Sequence, residues 1–253
     1  MKITNRTPLN WRALQTEVAK ILMECGFKTE LEKKIVTVRG NVEVDVFSEK
    51  SAGINTKILC ECKFWESNVP QNVVHSLRTI VSDSGASHGL IISKNGFQRG
   101  AFKAIENSNI SLLTFDEFQD KFLMDWLESI ITRNFELGQE LLPFTQYNYI
   151  ETYEEQELNI LSGEKRNEFY KIKNECDESY VDFLTLKEHY FELPKSIVSK
   201  IEVDKRIIQY EKRLPLEIKC YSDYYNYIYH YGDQTLKKFD NLFQKKLRRN
   251  LYG

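Results

Sequence analysis

The chain has 253 residues, 42% of them hydrophobic, enough to bury one large core or two smaller ones. Its 35 basic and 37 acidic side chains leave a formal net charge of −2, which excludes a protein that coats nucleic acid by bulk charge; any DNA contact must come from local patches. Five cysteines (Cys25, Cys60, Cys62, Cys176, Cys220) without CxxC spacing speak against structural zinc and read as reduced, buried thiols. With neither a secretory leader nor an apolar run long enough to span a bilayer, the expectation is a soluble, cytoplasmic protein without a membrane partner.

In chain order, Trp11, Leu14, Val18, Ile21, Leu22 and Cys25 recur at steps of three and four, predicting a helix that Gly26 ends. Three β-rich segments come next, Lys34 to Val38, Val42 to Phe47 and Lys57 to Phe64, separated by Arg39-Gly40-Asn41 and by the polar stretch Ser48 to Thr56. They predict an antiparallel meander. A second helix begins near Pro70, with Asn68 as a candidate cap, buries Val73, Leu77, Ile80 and Val81, and stops at Gly85. Gly89 to Ile92 reads as a buried strand, Ala101, Ala104 and Ile105 as the inner face of a short helix, and Ile110 to Phe115 as a last strand. The predicted order is α-β-β-β-α-β-α-β around a mixed central sheet.

After Asp116 glycine becomes scarce and long helical patterns such as Phe118 to Asn134 take over. We therefore expect one domain over 1–116, a helical linker over 117–145 and a mainly helical carboxyl-terminal domain over 146–253. Leu142-Pro143 should interrupt the first of these helices, and Leu193-Pro194 and Leu214-Pro215 divide the remainder into helical pieces.

The strands carry the chemistry. Val42, Val44 and Val46 alternate with Glu43, Asp45 and Phe47, while Cys60 and Cys62 alternate with Glu61 and Lys63. If the hairpin folds symmetrically about Gly53, Asp45 lies opposite Glu61, where directly opposed Cβ atoms are about 4.5–5.5 Å apart. Two carboxylates so placed repel unless a cation lies between them, and magnesium takes one or two protein carboxylates, leaving room for water and phosphate. Lys63 could orient or deprotonate an attacking water and offset charge building on a phosphate. Glu17, in the inward half of the first helix, could bind the same ion directly or through water.

The run from Glu17 to Phe27, then Val44-Asp45-Val46, then Leu59-Cys60-Glu61-Cys62-Lys63, resembles the PD-(D/E)xK nucleases and, within them, the Mrr-type restriction endonuclease domains. The similarity continues through Val73-Val74-His75-Ser76-Leu77, Gly89-Leu90-Ile91-Ile92-Ser93, Asn95-Gly96-Phe97 and Ile110-Ser-Leu-Leu. Asn41 to Val44 depart from the glycine-rich run common before the aspartate, and Glu61 stands where many relatives carry glutamine. The resemblance implies Asp45, Glu61 and Lys63 as catalytic residues, Glu17 as the helix-borne acid, magnesium (or manganese) as cofactor and hydrolysis of DNA phosphodiester bonds, with a role in restriction or antiphage defence. A catalytically silent DNA-binding or assembly subunit, and a repair nuclease or junction resolvase, are the alternatives.

Outside the strands, Gln71 near the start of the second helix could reach a phosphate. The tyrosines from Tyr221 to Tyr231 could stack unpaired bases or simply pack internally. A helix from Leu236 to Asn250 would set Leu236, Phe239, Phe243 and Leu247 against Lys237, Lys238, Lys245, Lys246, Arg248 and Arg249, a basic face suited to DNA phosphates. The carboxyl-terminal domain could equally serve target recognition, oligomerisation with a second copy, or control through a partner protein.

Overall fold

Asn10 opens the first helix, α1 (Trp11–Glu24), by accepting the Ala13 N–H at 2.8 Å, and Gly26 closes it at φ +84°, in the left-handed region. In the computed structural model, residues 1–145, 158, 161–176, 203–205, 207–208, 214 and 216–244 are described. By its internal contacts the chain divides into two units, Lys2–Ser129 and Ile130–Gly253 together with Met1.

The first unit holds a five-stranded mixed sheet in the order β1-β2-β3-β4-β5. Strands β1 (Lys28–Thr37), β2 (Gly40–Ala52) and β3 (Ile54–Lys63) form the antiparallel meander. Strands β4 (His88–Ser93) and β5 (Ile110–Thr114) add in parallel to β3, through the crossover helices α2 (Gln71–Ser84) and α3 (Arg99–Ala104). The element order is the one the sequence predicts. The meander is longer than its apolar pattern suggests: the polar stretch Ser48 to Thr56 is a hairpin tip, paired from Ser48↔Ile58 to Ala52↔Ile54 around Gly53 at φ +80°. Backbone pairing there needs no apolar side chain. Ser48 is itself fully buried, sharing a 2.8 Å hydrogen bond with the Thr29 hydroxyl on β1.

Both faces of the sheet are covered. Helix α1 packs against β1, β2 and β3 and buries Leu14, Val18, Ile21 and Leu22. On α2 and α3, Val74, Leu77, Val81, Ala101 and Ala104 share one core cluster with Leu59 and Ile91 of the sheet. Helix α2 starts at Gln71, with Pro70 as its N-cap residue and no side-chain cap, so Asn68 does not cap it; instead the Asn68 amide donates to the Phe97 carbonyl at 3.4 Å. Gly85, at φ +66°, stops α2 as expected.

Helix α4 (Phe115–Thr145) crosses the division between the units. It continues through Leu142-Pro143 to Thr145, so the proline does not break it where the dipeptide suggested. One proline close to a helix end removes a single backbone donor, a cost the packing of Leu137 and Leu141 can outweigh. The second unit is mainly helical, with α5 over 163–176 and α6 (Tyr221–Phe243). Phe239 of α6 stacks on Phe144 at 4.5 Å and meets Phe169 of α5 at 5.5 Å. Helix α6 starts fifteen residues before the predicted Leu236, because Asp223 accepts the Lys219 and Cys220 N–H groups at 2.9 and 3.2 Å and fixes the start at Tyr221. It ends at Phe243, with Gln244 left-handed at φ 56°. Tyr221, Tyr224 and Tyr225 are buried, so that part of the tyrosine run packs internally and offers no stacking platform. No helix among the described residues is long and apolar enough to cross a membrane.

Candidate active site

The β2–β3 register is the one that symmetry about Gly53 predicts, and it runs to Val46↔Cys60, one step short of Asp45 and Glu61, whose carboxylates are close enough to interact. The ladder stops at that step because the Cys62 N–H donates to Asp45 Oδ2 at 2.7 Å, the carboxylate standing where a strand carbonyl would otherwise accept. A hydrogen bond to an ionised acceptor of this kind contributes about 1.5–3 kcal/mol and holds Asp45 in one orientation.

The pleat breaks at the same place. Val44 and Phe47 share one core cluster, although strict alternation would put them on opposite faces, while Val46 is buried outside that cluster. The simple picture of a valine row facing away from Asp45 is therefore corrected: both sides of β2 are packed. On β1 the pairs Leu31↔Val46 and Lys33↔Val44 skip Glu32 and Asp45, and Glu32 has φ 49°. The local kink separates β2 from its neighbours where Asp45 projects.

Along β3 the expected alternation holds. Cys60 and Cys62 are buried thiols, pushed above the ordinary range chiefly by burial and further by the nearby carboxylates, so they pack as small hydrophobes and are poor metal ligands. Glu61 and Lys63 face the other way and form an ion pair, their side chains 23% and 20% exposed. Burial raises the Glu61 carboxyl above the usual carboxylate range, the Asp45 carboxylate raises it further, and Lys63 opposes both. Its charged form is therefore costly in the protein alone. The Lys63 ammonium also lies 5.3 Å from the centre of the Trp65 ring, in a cation–π contact.

Glu17 is placed differently. Its side chain is largely buried on α1 and pairs with Arg6 Nη1 at 3.3 Å. Among the described residues no group of three or more His, Cys, Asp or Glu gathers as a metal cage, so the structure brings Asp45, Glu61 and Lys63 together and leaves Glu17 with Arg6. Gln71 is exposed at the start of α2, its side chain against Gly100, where a Cβ would come within 2.9 Å of Oε1. Of the predicted basic face, Lys237 and Lys238 are on α6 and pair with Asp233 and Glu175, while Lys245, Lys246, Arg248 and Arg249 lie outside the described residues.

Three contributions escape a reading by spacing alone: the Cys62 backbone N–H, the Trp65 ring and Arg6. A backbone donor has no sequence signature. Trp65 could have been noticed as a large aromatic two residues after Lys63, whereas nothing local marks Arg6 as the partner of a helix glutamate.

Residues 7–122 match the family model Mrr_cat, described as restriction endonuclease. Among solved structures, the chain is similar to AF1548, a protein of unknown function, at 17% identity and a TM-score of 0.40, covering 67% of this chain and 99% of that one. It is similar to a repair endonuclease from Pyrococcus abyssi at 18% identity and a TM-score of 0.32, over 44% of this chain and 50% of that one. The DNA modification-dependent restriction endonuclease AspBHI matches at 12% identity and a TM-score of 0.28, over 51% of this chain and 39% of that one. The comparison with curated proteins gave no match.

Proposed function

We propose that the Mrr-type restriction endonuclease domain formed by residues 7–122 is a magnesium-dependent DNA endonuclease acting in restriction or antiphage defence. The observation that carries this reading is the half-buried pair Asp45 and Glu61 on adjoining strands, with Lys63 on the same face as Glu61. The donor set suits a hard cation: it offers carboxylate oxygens, and burial beside Asp45 makes the Glu61 charge costly until a cation shares it.

Asp45 and Glu61 would hold the ion, and Glu17 would reach it directly or through water once it leaves Arg6. The bound metal supplies Lewis-acid polarisation of the phosphate and an acidified water. The chain's own contribution is orientation. The Cys62 N–H aims the Asp45 carboxylate, and Lys63, steadied by Glu61 and Trp65, presents its ammonium to orient the attacking water and to offset charge growing on the phosphate. In this reading the carboxyl-terminal region, 146–253, serves recognition, oligomerisation or control.

The test is cleavage of plain, methylated, single-stranded and branched DNA with magnesium, manganese, calcium or excess chelator. Cutting should need magnesium or manganese, and Asp45→Ala, Glu61→Ala and Lys63→Ala should each abolish it without unfolding the chain. Undiminished cutting in chelator, or normal cutting by all three variants, refutes the assignment. Preference for branched over plain or methylated duplex would replace the defence role with repair.

A further inference from the structure

A second feature lies at the carboxyl end of the sheet, where open α/β folds place their ligands. A cleft of about 470 Å³ opens there, within the range of small-molecule sites, roughly 300–1,000 Å³. Phe64, Lys94 and Thr114, at or just past the ends of β3, β4 and β5, contribute to its wall, and the amino-terminal segment from Lys2 to Pro8 contributes the other side.

Its lining is chemically specific. Gln119 of α4 is 2% exposed, and its Oε1 accepts the Thr4 N–H at 2.9 Å. A backbone N–H can only donate, so the atom facing it must be the oxygen, and the amide NH2 is the group left over. That NH2 has no hydrogen-bond partner among the described residues. The side chain is almost wholly buried, yet its NH2 keeps access to the cleft, so a double donor lines a cavity large enough to hold an acceptor, whether a ligand or water.

Lys2, Arg6 and Lys94 line the same cleft, three cations against the single acid Asp116. Lys2 pairs with Asp116 and Lys94 with Glu66, both acids well exposed, so the pairs are weak and open to exchange with a better anion. The Lys94 ammonium also lies 4.6 Å from the centre of the Phe64 ring, so cation and aromatic face occupy the same wall. Cationic rim, aromatic wall and amide donor together match the three parts of a nucleotide: phosphate, base face and base edge. The cleft also adjoins the catalytic strand, since Phe64 comes directly after Lys63 and the Lys94 N–H donates to the Lys63 carbonyl at 2.9 Å.

We propose that this cleft binds one nucleotide of the DNA strand beside the scissile phosphate, with its phosphate on Lys2 and Lys94 and its base edge on the Gln119 amide. The identity of the ligand as DNA rests on the nuclease reading; the cleft's preference for a nucleotide rests on its own lining.

The test uses the full chain in chelator, so that nothing is cut, titrated with a fluorescent oligonucleotide and separately with deoxynucleoside 5′-monophosphates. Gln119→Glu keeps an oxygen for the Thr4 N–H but replaces the free donor with an acceptor; Lys2→Ala combined with Lys94→Ala removes two half-exposed cations and leaves the core untouched. Each should weaken oligonucleotide binding roughly tenfold, and the double variant should flatten the salt dependence by about one logarithmic unit. Hydrolysis of bis(4-nitrophenyl) phosphate, too small to span both places, should stay near wild type. Loss confined to the monophosphates keeps the cleft and assigns it to a free nucleotide. Unchanged binding of both ligands by two folded variants overturns the proposal. If the wild type hydrolyses no phosphodiester at all, the nuclease reading fails, while the titrations still decide the cleft.

Discussion

Replacing Glu61 with glutamine should stabilise the metal-free protein at neutral pH, although it breaks an ion pair. Three effects compete. Burial and the Asp45 carboxylate disfavour the Glu61 charge, while Lys63 favours it, and the raised carboxyl says that the first two prevail. At about 5 Å and an effective dielectric near 20, repulsion from the Asp45 charge costs about 3 kcal/mol, which the Lys63 ammonium in direct contact with Glu61 offsets. Burial of the charge is then left as the deciding cost, and we expect a net gain of about 1 kcal/mol, or roughly 2–4 °C in melting temperature for a chain of this size. The sign can be checked against pH. Because Glu61 holds its proton more tightly folded than unfolded, the folded wild type binds more protons between the ordinary carboxylate range and the raised value, so its stability falls as pH rises through that window. The advantage of Glu61→Gln should therefore appear above the window and vanish below it. Magnesium should reverse the order: at a hundredfold excess over its dissociation constant it adds about 2.7 kcal/mol to the wild type and little to the variant. Calorimetry across pH 4 to 8, with and without magnesium, reads all of this. A variant that melts lower than wild type at every pH, or gains as much from magnesium, would refute the reasoning.

Two further outcomes concern other parts of the chain. Gly89 on β4 has no room for a side chain, since a Cβ would come within 2.5 Å of Ile110 Cδ1 and 2.8 Å of Val81 Cγ2; Gly89→Ala should cost about 1–3 kcal/mol by chemical denaturation, and a neutral result would show that α2 shifts freely on the sheet. Replacing Lys245, Lys246, Arg248 and Arg249 together by alanine should weaken DNA binding and flatten its salt dependence while leaving the melting of residues 10–116 unchanged, and an unaltered salt slope would remove this segment from the DNA surface.

The contrast between what was legible in the sequence and what was not reflects the range of the forces involved. Element order could be read because each helix and strand buries a periodic face of its own: the three- and four-residue steps from Leu14 to Leu22, the alternation from Ile58 to Lys63, the apolar run of β4. The register that brings β2 and β3 together as far as Val46↔Cys60, next to Asp45 and Glu61, was legible for the same reason, since a hairpin about Gly53 fixes its own register. Strand length was not, because from Ser48 to Ala52 the pairing is carried by backbone groups that polar side chains neither help nor prevent. The kink at Asp45 was hidden too, as its left-handed partner Glu32 carries no glycine to mark it. The cleft is the extreme case. Thr4, Phe64, Lys94 and Gln119 line one cleft although they lie far apart in the chain, and no spacing along it encodes that meeting. Yet these same long-range contacts tie the amino-terminal segment to α4, through the Thr4–Gln119 hydrogen bond and the Lys2–Asp116 ion pair. A nucleotide drawn into the cleft would compete for Lys2 and complete the Gln119 amide at once, so the contacts invisible to the sequence are those a substrate would have to remake.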